Sequence, residues 1–313
     1  MWEKFFHNLI HAMITQLSQI VQEARKAGPR RLAVAYGQDL HTIQAVYEAY
    51  REGLVTPTLY GDKEQIAEIC RKESFEISAF NIVDVKNDVQ SVKQAVTAVA
   101  TGQADVLMKG LVSTDKYMRG ILDKEAGLFP HGGVLSHLTV LEMPDYPRLI
   151  LFSDAAVIPQ PDFKQKIKIF GYLRETANVL GLDCPKIALI APSEQVLPTV
   201  ESSTDAAVIA KMADRGQLGQ VVADGPLSLD VALYPRVAEE KKVKGSSVAG
   251  MADCLLFPNI ESANVFFKSA SHFGGAQLAA MVVGTKVPCV LTSRGDTPQT
   301  KLYSIALSCL AAK

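Results

Sequence analysis

The 313-residue sequence has no charge excess. Its 32 Lys and Arg stand against 33 Asp and Glu, a formal net charge of −1. A nucleic-acid-binding chain should carry a basic surplus or stripe, so this balance argues against that class. Cysteine is scarce and scattered: the five, Cys70, Cys184, Cys254, Cys289 and Cys309, form no CxxC and have no histidine at ligand spacing. That argues against a disulfide or zinc framework and fits a reducing cytoplasm. Several catalytic signatures are missing as well. GxxxxGK[ST] is absent, against a P-loop; no GxGxxG follows the first strand, against a standard dinucleotide site; GxSxG and HExxH are absent, against the commonest hydrolases and zinc proteases. There is no internal repeat, no low-complexity segment and no apolar run of signal-peptide type. Instead Trp2, Phe5, Phe6, Leu9 and Ile10 recur at helical spacing into Met13, Leu17, Ile20, Val21 and Ala24. They form one amphipathic face about 25 residues long. Its polar side mixes both charges, which fits a packing or partner face better than a membrane surface. Met13 offers a second start, with residues 1–12 an upstream extension.

What is present is apolar residue, 48% of the chain, enough for one large α/β domain or two medium ones. Strand and helix patterns alternate. Strands are expected at 30–37, 55–61, 81–85 and 105–110, with helices at 40–52, 62–73, 88–101 and 114–124. A Gly/Pro-rich break, "GLFPHGG" at 127–133, marks a domain crossing. Strands 137–143 and 148–154 follow, joined by the turn "PDYP" as an antiparallel or edge pair. Alternation then resumes with a helix near 162–180, strand 186–192, a helix near 203–215, strands 218–225 and 254–258, helices near 260–271 and 275–283, strand 288–293 and helix 299–311. Such alternation implies right-handed crossovers and a mostly parallel sheet.

Ligands of open α/β sheets bind beyond the carboxyl ends of the strands. Ser293 and Arg294 stand at such an end, just before Asp296, Thr297 and Pro298 open the last helix. Unpaired helix N–H groups with a guanidinium fork suit a phosphate or carboxylate. A second junction of this kind, "LMKGLVSTDKYMRG" at 107–120, supplies Lys109, Gly110, Ser113 and Thr114, with Arg119 further along the helix. Two such helix starts suggest a phosphorylated or polyanionic ligand. A third strand end is expected at the same carboxyl edge and carries Asp224 and Gly225, where an Asp before Gly is more often a turn former. His131, His137 and His272 read as loop or packing histidines, and their spacing suggests no metal.

These junctions carry a resemblance. "ADVLMKGLVSTDKYMRGIL", "LFSDAAVIPQPDFKQK", "VVADGPLSLDVAL", "KVKGSSVAGMADCLLFPNIESANVFFK" and "VGTKVPCVLTSRGDTPQTKLYSIAL", in this order, resemble the phosphate acyltransferase family of phosphotransacetylases and phosphotransbutyrylases. The match covers most of residues 104–311, while residues 1–100 are similar only loosely. The resemblance implies two α/β domains around an active-site cleft, similar to isocitrate and isopropylmalate dehydrogenases. Residues 1–129 would be rejoined by 287–313, with 130–286 as the second domain. It further implies reversible acyl transfer between coenzyme A and inorganic phosphate, without a covalent acyl-enzyme. Both are substrates and no cofactor or metal is expected. The family assembles as a dimer or higher homo-oligomer.

By the same resemblance, Arg294 holds the phosphate dianion and Ser293 donates to the developing oxyanion or the sulfur. Ser113, Thr114 and Arg119 match the family's hydroxyl-rich phosphate loop and its following arginine, and Asn264 and Lys268 match its Asn…Lys pair. The chain departs from acetyl-specific members twice. They tend to carry a carboxylate a few residues into the last helix, as base for the coenzyme A thiol, where this chain reads Gln299-Thr300-Lys301; Asp296 is the nearest acid, and the thiol is expected to be activated by Asp296 or by positive charge alone. They also often carry a cysteine in place of Ala155. The "LMKG" and "QTKL" wording favours the phosphotransbutyrylase branch, with acyl chains longer than acetyl.

Overall fold

A computed structural model describes residues 13–125, 128–292 and 296–312. The first part of the chain forms α1 (Leu17–Ala27), β1 (Arg30–Ala35), α2 (Leu40–Arg51), β2 (Val55–Gly61), α3 (Lys63–Glu73), β3 (Asn81–Asp84), α4 (Asp88–Ala100), β4 (Val106–Lys109) and α5 (Thr114–Leu122). Next come β5 (Ser136–Glu142), β6 (Ile150–Ser153), α6 (Phe163–Val179), β7 (Lys186–Ile190), α7 (Glu201–Asp214) and β8 (Val222–Leu227). The chain continues through α8 (Leu229–Leu233), α9 (Pro235–Glu240), β9 (Cys254–Leu256), α10 (Ile260–His272), β10 (Gln277–Val283), β11 (Cys289–Val290) and α11 (Pro298–Ala311). Many helices start where a short polar side chain can accept an otherwise unpaired N–H. Asp39 accepts from Thr42, Asn87 from Gln90, and Asp162 forms a reciprocal box with Gln165.

Among the described residues the strands form a single sheet in the order β3-β2-β1-β4-β11-β10-β5-β6-β9-β7-β8. Each flank is parallel throughout. The centre is not: β10 runs antiparallel to both β11 and β5, and β5 antiparallel to β6. Three reversals lie between the flanks, so β6, β9, β7 and β8 run opposite to β4.

Side chains alternate between the faces of a strand, and directly paired residues share a face. One face of the central strands carries Leu138, Val140, Ala279 and Met281, which join one large core with Leu17, Phe170, Ile305 and Leu307 of α1, α6 and α11. The other face carries the pairs Leu278–Leu141, Ala280–Thr139 and Val282–His137. Here the apolar residues divide. Leu278, Ala280 and Phe152 cluster with Ala263 of α10 and Val231 of α8, whereas Val282, Leu107 and Cys289 cluster with Val92 of α4 and Tyr117 of α5. Between these two clusters the sheet supports a cleft.

Most of the expected elements are present, including the antiparallel pairing of β5 and β6. Residues 275–283, expected as a helix, contain β10 (Gln277–Val283) instead. "QLAAMVV" is a short, nearly continuous apolar run between Gly274-Gly275 and Gly284, and such a run has no period that separates a buried strand from a helix. The long amphipathic helix expected from residue 2 is also interrupted: α1 begins at Leu17, residues 13–16 are not helical, and residues 1–12 lie outside the described residues. The expected shared carboxyl edge of β8 with β4 is not found, because β8 runs the other way at the far end of the sheet.

Gly110 fixes where β4 ends. Its N–H donates to the Ala35 carbonyl at 2.8 Å, and an added Cβ would lie 2.4 Å from the Tyr36 carbonyl oxygen. Gly110→Ala should therefore cost about 1–3 kcal/mol of stability. In urea unfolding the midpoint should fall with an unchanged slope.

Candidate active site

The cleft holds a cavity of about 470 Å³. One wall comes from the end of β4 and the start of α5: Lys109, Val112, Ser113 and Thr114. Lys109 is buried, and its ammonium donates to the Gly110 carbonyl at 3.2 Å. Ser113 caps α5, its hydroxyl accepting the Lys116 N–H at 3.4 Å. The first turn of α5, where N–H groups lack helical partners and the dipole is positive, thus stands beside a buried cation. The opposite wall is Ala155 and Ala156 after β6, with Asn264 and Phe267 of α10. Asn264 ties the two together through a 3.0 Å hydrogen bond to the Ala155 carbonyl. Leu278, Ala280 and His137 form the floor, and Leu291, Thr292 and Asp296 close the remaining side. A second cavity, also about 470 Å³, adjoins at Ala156 and extends past Asp115, Met118, Phe129 and Val157. The cleft is therefore longer than its central chamber.

The wall after β6 is built on Asp154, which is 2% exposed. One carboxylate oxygen accepts the N–H groups of Ala156 and Val157, both at 2.9 Å, and the other accepts from Ile158 N–H and the Ser136 hydroxyl, both at 3.1 Å. This full set of donors allows a charge to remain buried. Ser153 continues the network, donating to the His137 carbonyl at 2.9 Å. His137 is itself buried, with Nδ1 3.4 Å from the Thr139 hydroxyl. Burial pushes its imidazole below its ordinary pKa, while the carboxylates of Asp154 and Asp296 pull the other way.

Of the residues singled out in the sequence, Lys109, Ser113, Thr114, Asn264 and Asp296 meet around the one chamber. Ser293 and Arg294 lie outside the described residues; Thr292 and Asp296, on either side of them, line the cavity. Gly110 follows Lys109 and serves the β4–β1 contact described above. Arg119 lies on the exposed side of α5, paired with Asp115 at 3.2 Å. Lys268 is exposed one turn beyond Asn264, its ammonium 5.9 Å from the centre of the Phe267 ring. Asp224 and Gly225 lie within β8, remote in strand order from the cleft, and Asp224 accepts the Gly225 N–H at 2.8 Å. Sequence reasoning placed His137 among packing histidines and passed over Asp154. A usable signal was there in "SHLTVLE": His137 and Thr139 are polar at period two, alternating with Leu138 and Val140.

The cleft thus lies over the middle of an α/β sheet, with a buried cation and a helix start on one wall and Leu278, Ala280 and His137 beneath. The sequence model of the phosphate acetyl/butaryl transferase family matches residues 89–309, and the chain belongs to that family of acyltransferases. It is 40% identical to the phosphate butyryltransferase of Clostridium beijerinckii over 96% of this chain and 99% of the relative. To the phosphate acetyltransferase of Thermotoga maritima it is 38% identical, over 95% and 99%. Among solved structures, a branched-chain phosphotransacylase from Enterococcus faecalis V583 is 30% identical, covers 90% of this chain and 98% of its own, and superimposes with a TM-score of 0.78.

Asp154→Ala would leave several buried donors without an acceptor. Stability should fall by roughly 3 kcal/mol, at about 1–3 kcal/mol for each unpaired group with partial relief by water. Chemical denaturation of the two proteins side by side measures the difference.

Proposed function

We propose that this cleft transfers a short acyl group, preferably butyryl, reversibly between coenzyme A and inorganic phosphate. The observation that carries the reading is the juxtaposition of Lys109 and the α5 helix start with the apolar side chains of Leu278 and Ala280 on the floor and Phe267 on the facing wall. The first suits a phosphate and the second an alkyl chain. The similarity to a phosphate butyryltransferase and a phosphate acetyltransferase over nearly their whole lengths supports the chemistry. In this reading Arg294 and Lys109 hold the phosphate with Ser113 and Thr114, and Ser293 donates to the oxyanion of the tetrahedral intermediate. Asn264 contributes a polar contact on the facing wall. The coenzyme's longer portion follows the adjoining cavity past Ala156. No metal or further cofactor takes part, and most of the acceleration comes from aligning two bound reactants.

The reading extends to organisation. Residues 1–129 with 287–313 would form one lobe and 130–286 the other, with the cleft between. The chain would act in the cytoplasm as a homodimer or higher homo-oligomer. No described helix is long and apolar enough to cross a membrane, and the partners are small-molecule substrates.

Two methylenes separate butyryl from acetyl, about 1.6 kcal/mol if both are buried, or roughly a 15-fold preference. The test is phosphate-dependent release of free thiol from acetyl-, propionyl-, butyryl-, isobutyryl- and valeryl-CoA. A maximum at four carbons supports the whole reading. A maximum at acetyl keeps the chemistry and overturns the chain length, and no release from any of them overturns both. Arg294→Ala should raise the phosphate KM and cut kcat at least 100-fold, while Ser293→Ala should mainly lower kcat; unchanged kinetics in both would remove these residues from the site.

A further inference from the structure

Acyl transfer to coenzyme A requires that a thiol lose its proton. Free alkyl thiols titrate near 8.5, so at neutral pH the nucleophile arrives mostly protonated. Among the described residues, the titratable groups lining the chamber are Lys109, His137 and Asp296. An ammonium cannot accept a proton. An aspartate, ordinarily near 3.9, is a much weaker base toward a thiol than an imidazole near 6.5. The histidine lines the same chamber as Ser113, Thr114 and Asn264, on the sheet face it shares with Ala280. The backbone of β5 and β10 fixes its position, Ser153 holds its carbonyl, and the Thr139 hydroxyl lies 3.4 Å from Nδ1; in the tautomer in which Nδ1–H donates to that hydroxyl, Nε2 is the acceptor.

We propose that His137 is the catalytic base and acid of this site, carrying the thiol proton between sulfur and phosphate. The inference rests on the acyl-transfer reading above. Toward thioester, the sulfur's proton passes to Nε2, sulfur bonds to the acyl carbon, and the bond from that carbon to the phosphate oxygen breaks. The imidazolium then returns the proton to the departing phosphate oxygen. Acyl phosphate dianion and thiol thus give thioester and hydrogen phosphate dianion, with protons and charge balanced. In reverse, hydrogen phosphate gives its proton to Nε2 as it attacks, and the leaving thiolate takes it back. The charged groups facing the ring are Asp154 from the loop after β6 and Asp296 from the segment before α11, with Lys109 at the end of β4 lining the same chamber. The two carboxylates favour the imidazolium that forms midway, whereas burial keeps the resting ring neutral.

The test compares wild type with His137→Asn and His137→Gln, following thiol release from butyryl-CoA against pH. A base works only while deprotonated, so the wild-type rate should fall as pH drops through the ring's own pKa, below the ordinary 6.5. In the variants kcat should fall about 100-fold or more. The phosphate KM and the affinity for desulfo-CoA, which has no thiol, should stay within a few-fold. In the unaltered protein, the His137 C2–H resonance should titrate below 6.5 and shift on adding coenzyme A. Variants that bind desulfo-CoA and keep kcat within a few-fold overturn the proposal. So does a His137 resonance indifferent to coenzyme A, a result that holds even if neither variant folds. Wild type without turnover overturns the acyl-transfer reading and this inference together; an active wild type with active variants overturns this inference alone.

Discussion

The pairing of β5 with β10 is the contact on which the rest of the molecule depends. It runs from Ser136 opposite Val283 to Glu142 opposite Gln277 and joins two parallel flanks of opposite direction. One face of this pair is sealed by α1, α6 and α11 into the largest apolar cluster. The other face is covered only at its sides, by clusters built around different helices. A parallel α/β sheet ordinarily buries both faces under crossover helices. Here, among the described residues, the antiparallel middle takes no crossover helix over that face, and the gap is the cleft.

Such an opening exposes strand side chains that would otherwise be core, so their identity matters. Ala280 is small enough to leave room, and His137 and Thr139 are polar, matched to each other by a 3.4 Å contact. The neighbouring wall holds its shape through a carboxylate saturated by backbone N–H groups, without a regular element of its own. A buried polar network that is fully satisfied specifies one arrangement, whereas a partly satisfied one would be costly. The site is thus preorganised on its β6 side and built from helix starts on its β4 and β11 sides.

Much of this architecture was legible in the sequence because caps and periods are local. Asp39, Asn87 and Asp162 announce their helices, and the "MKGLVST" junction announces an anion-facing helix start. Strand direction is not local. Nothing in "VVADGPL" reveals that β8 runs against β4, so Asp224 and Gly225 read as though they shared an edge with Ser113. The run "QLAAMVV" was ambiguous for a related reason: its burial on both faces erases the alternation that marks a strand. His137 was hidden because an isolated histidine gains meaning only from what lies across the sheet from it, here Val282 and the carboxylates of Asp154 and Asp296.

The return of the chain's last segment to its first also bears on how the molecule is made. β11 pairs with β4, and α11 supplies Leu302, Ile305, Ala306 and Leu307 to the same apolar cluster as Leu32, Val34 and Ile43. A ribosome delivers β1 through β4 long before it delivers α11, so the amino-terminal strands wait with one face only partly covered, by α1, α2 and α3, while the intervening residues are synthesised. Contacts this distant along the chain slow folding and lengthen the exposure of apolar surface. The two flanks of the sheet therefore cannot mature as independent units in order of synthesis, and loss of the final fourteen-residue helix would unmake the first-made half of the protein.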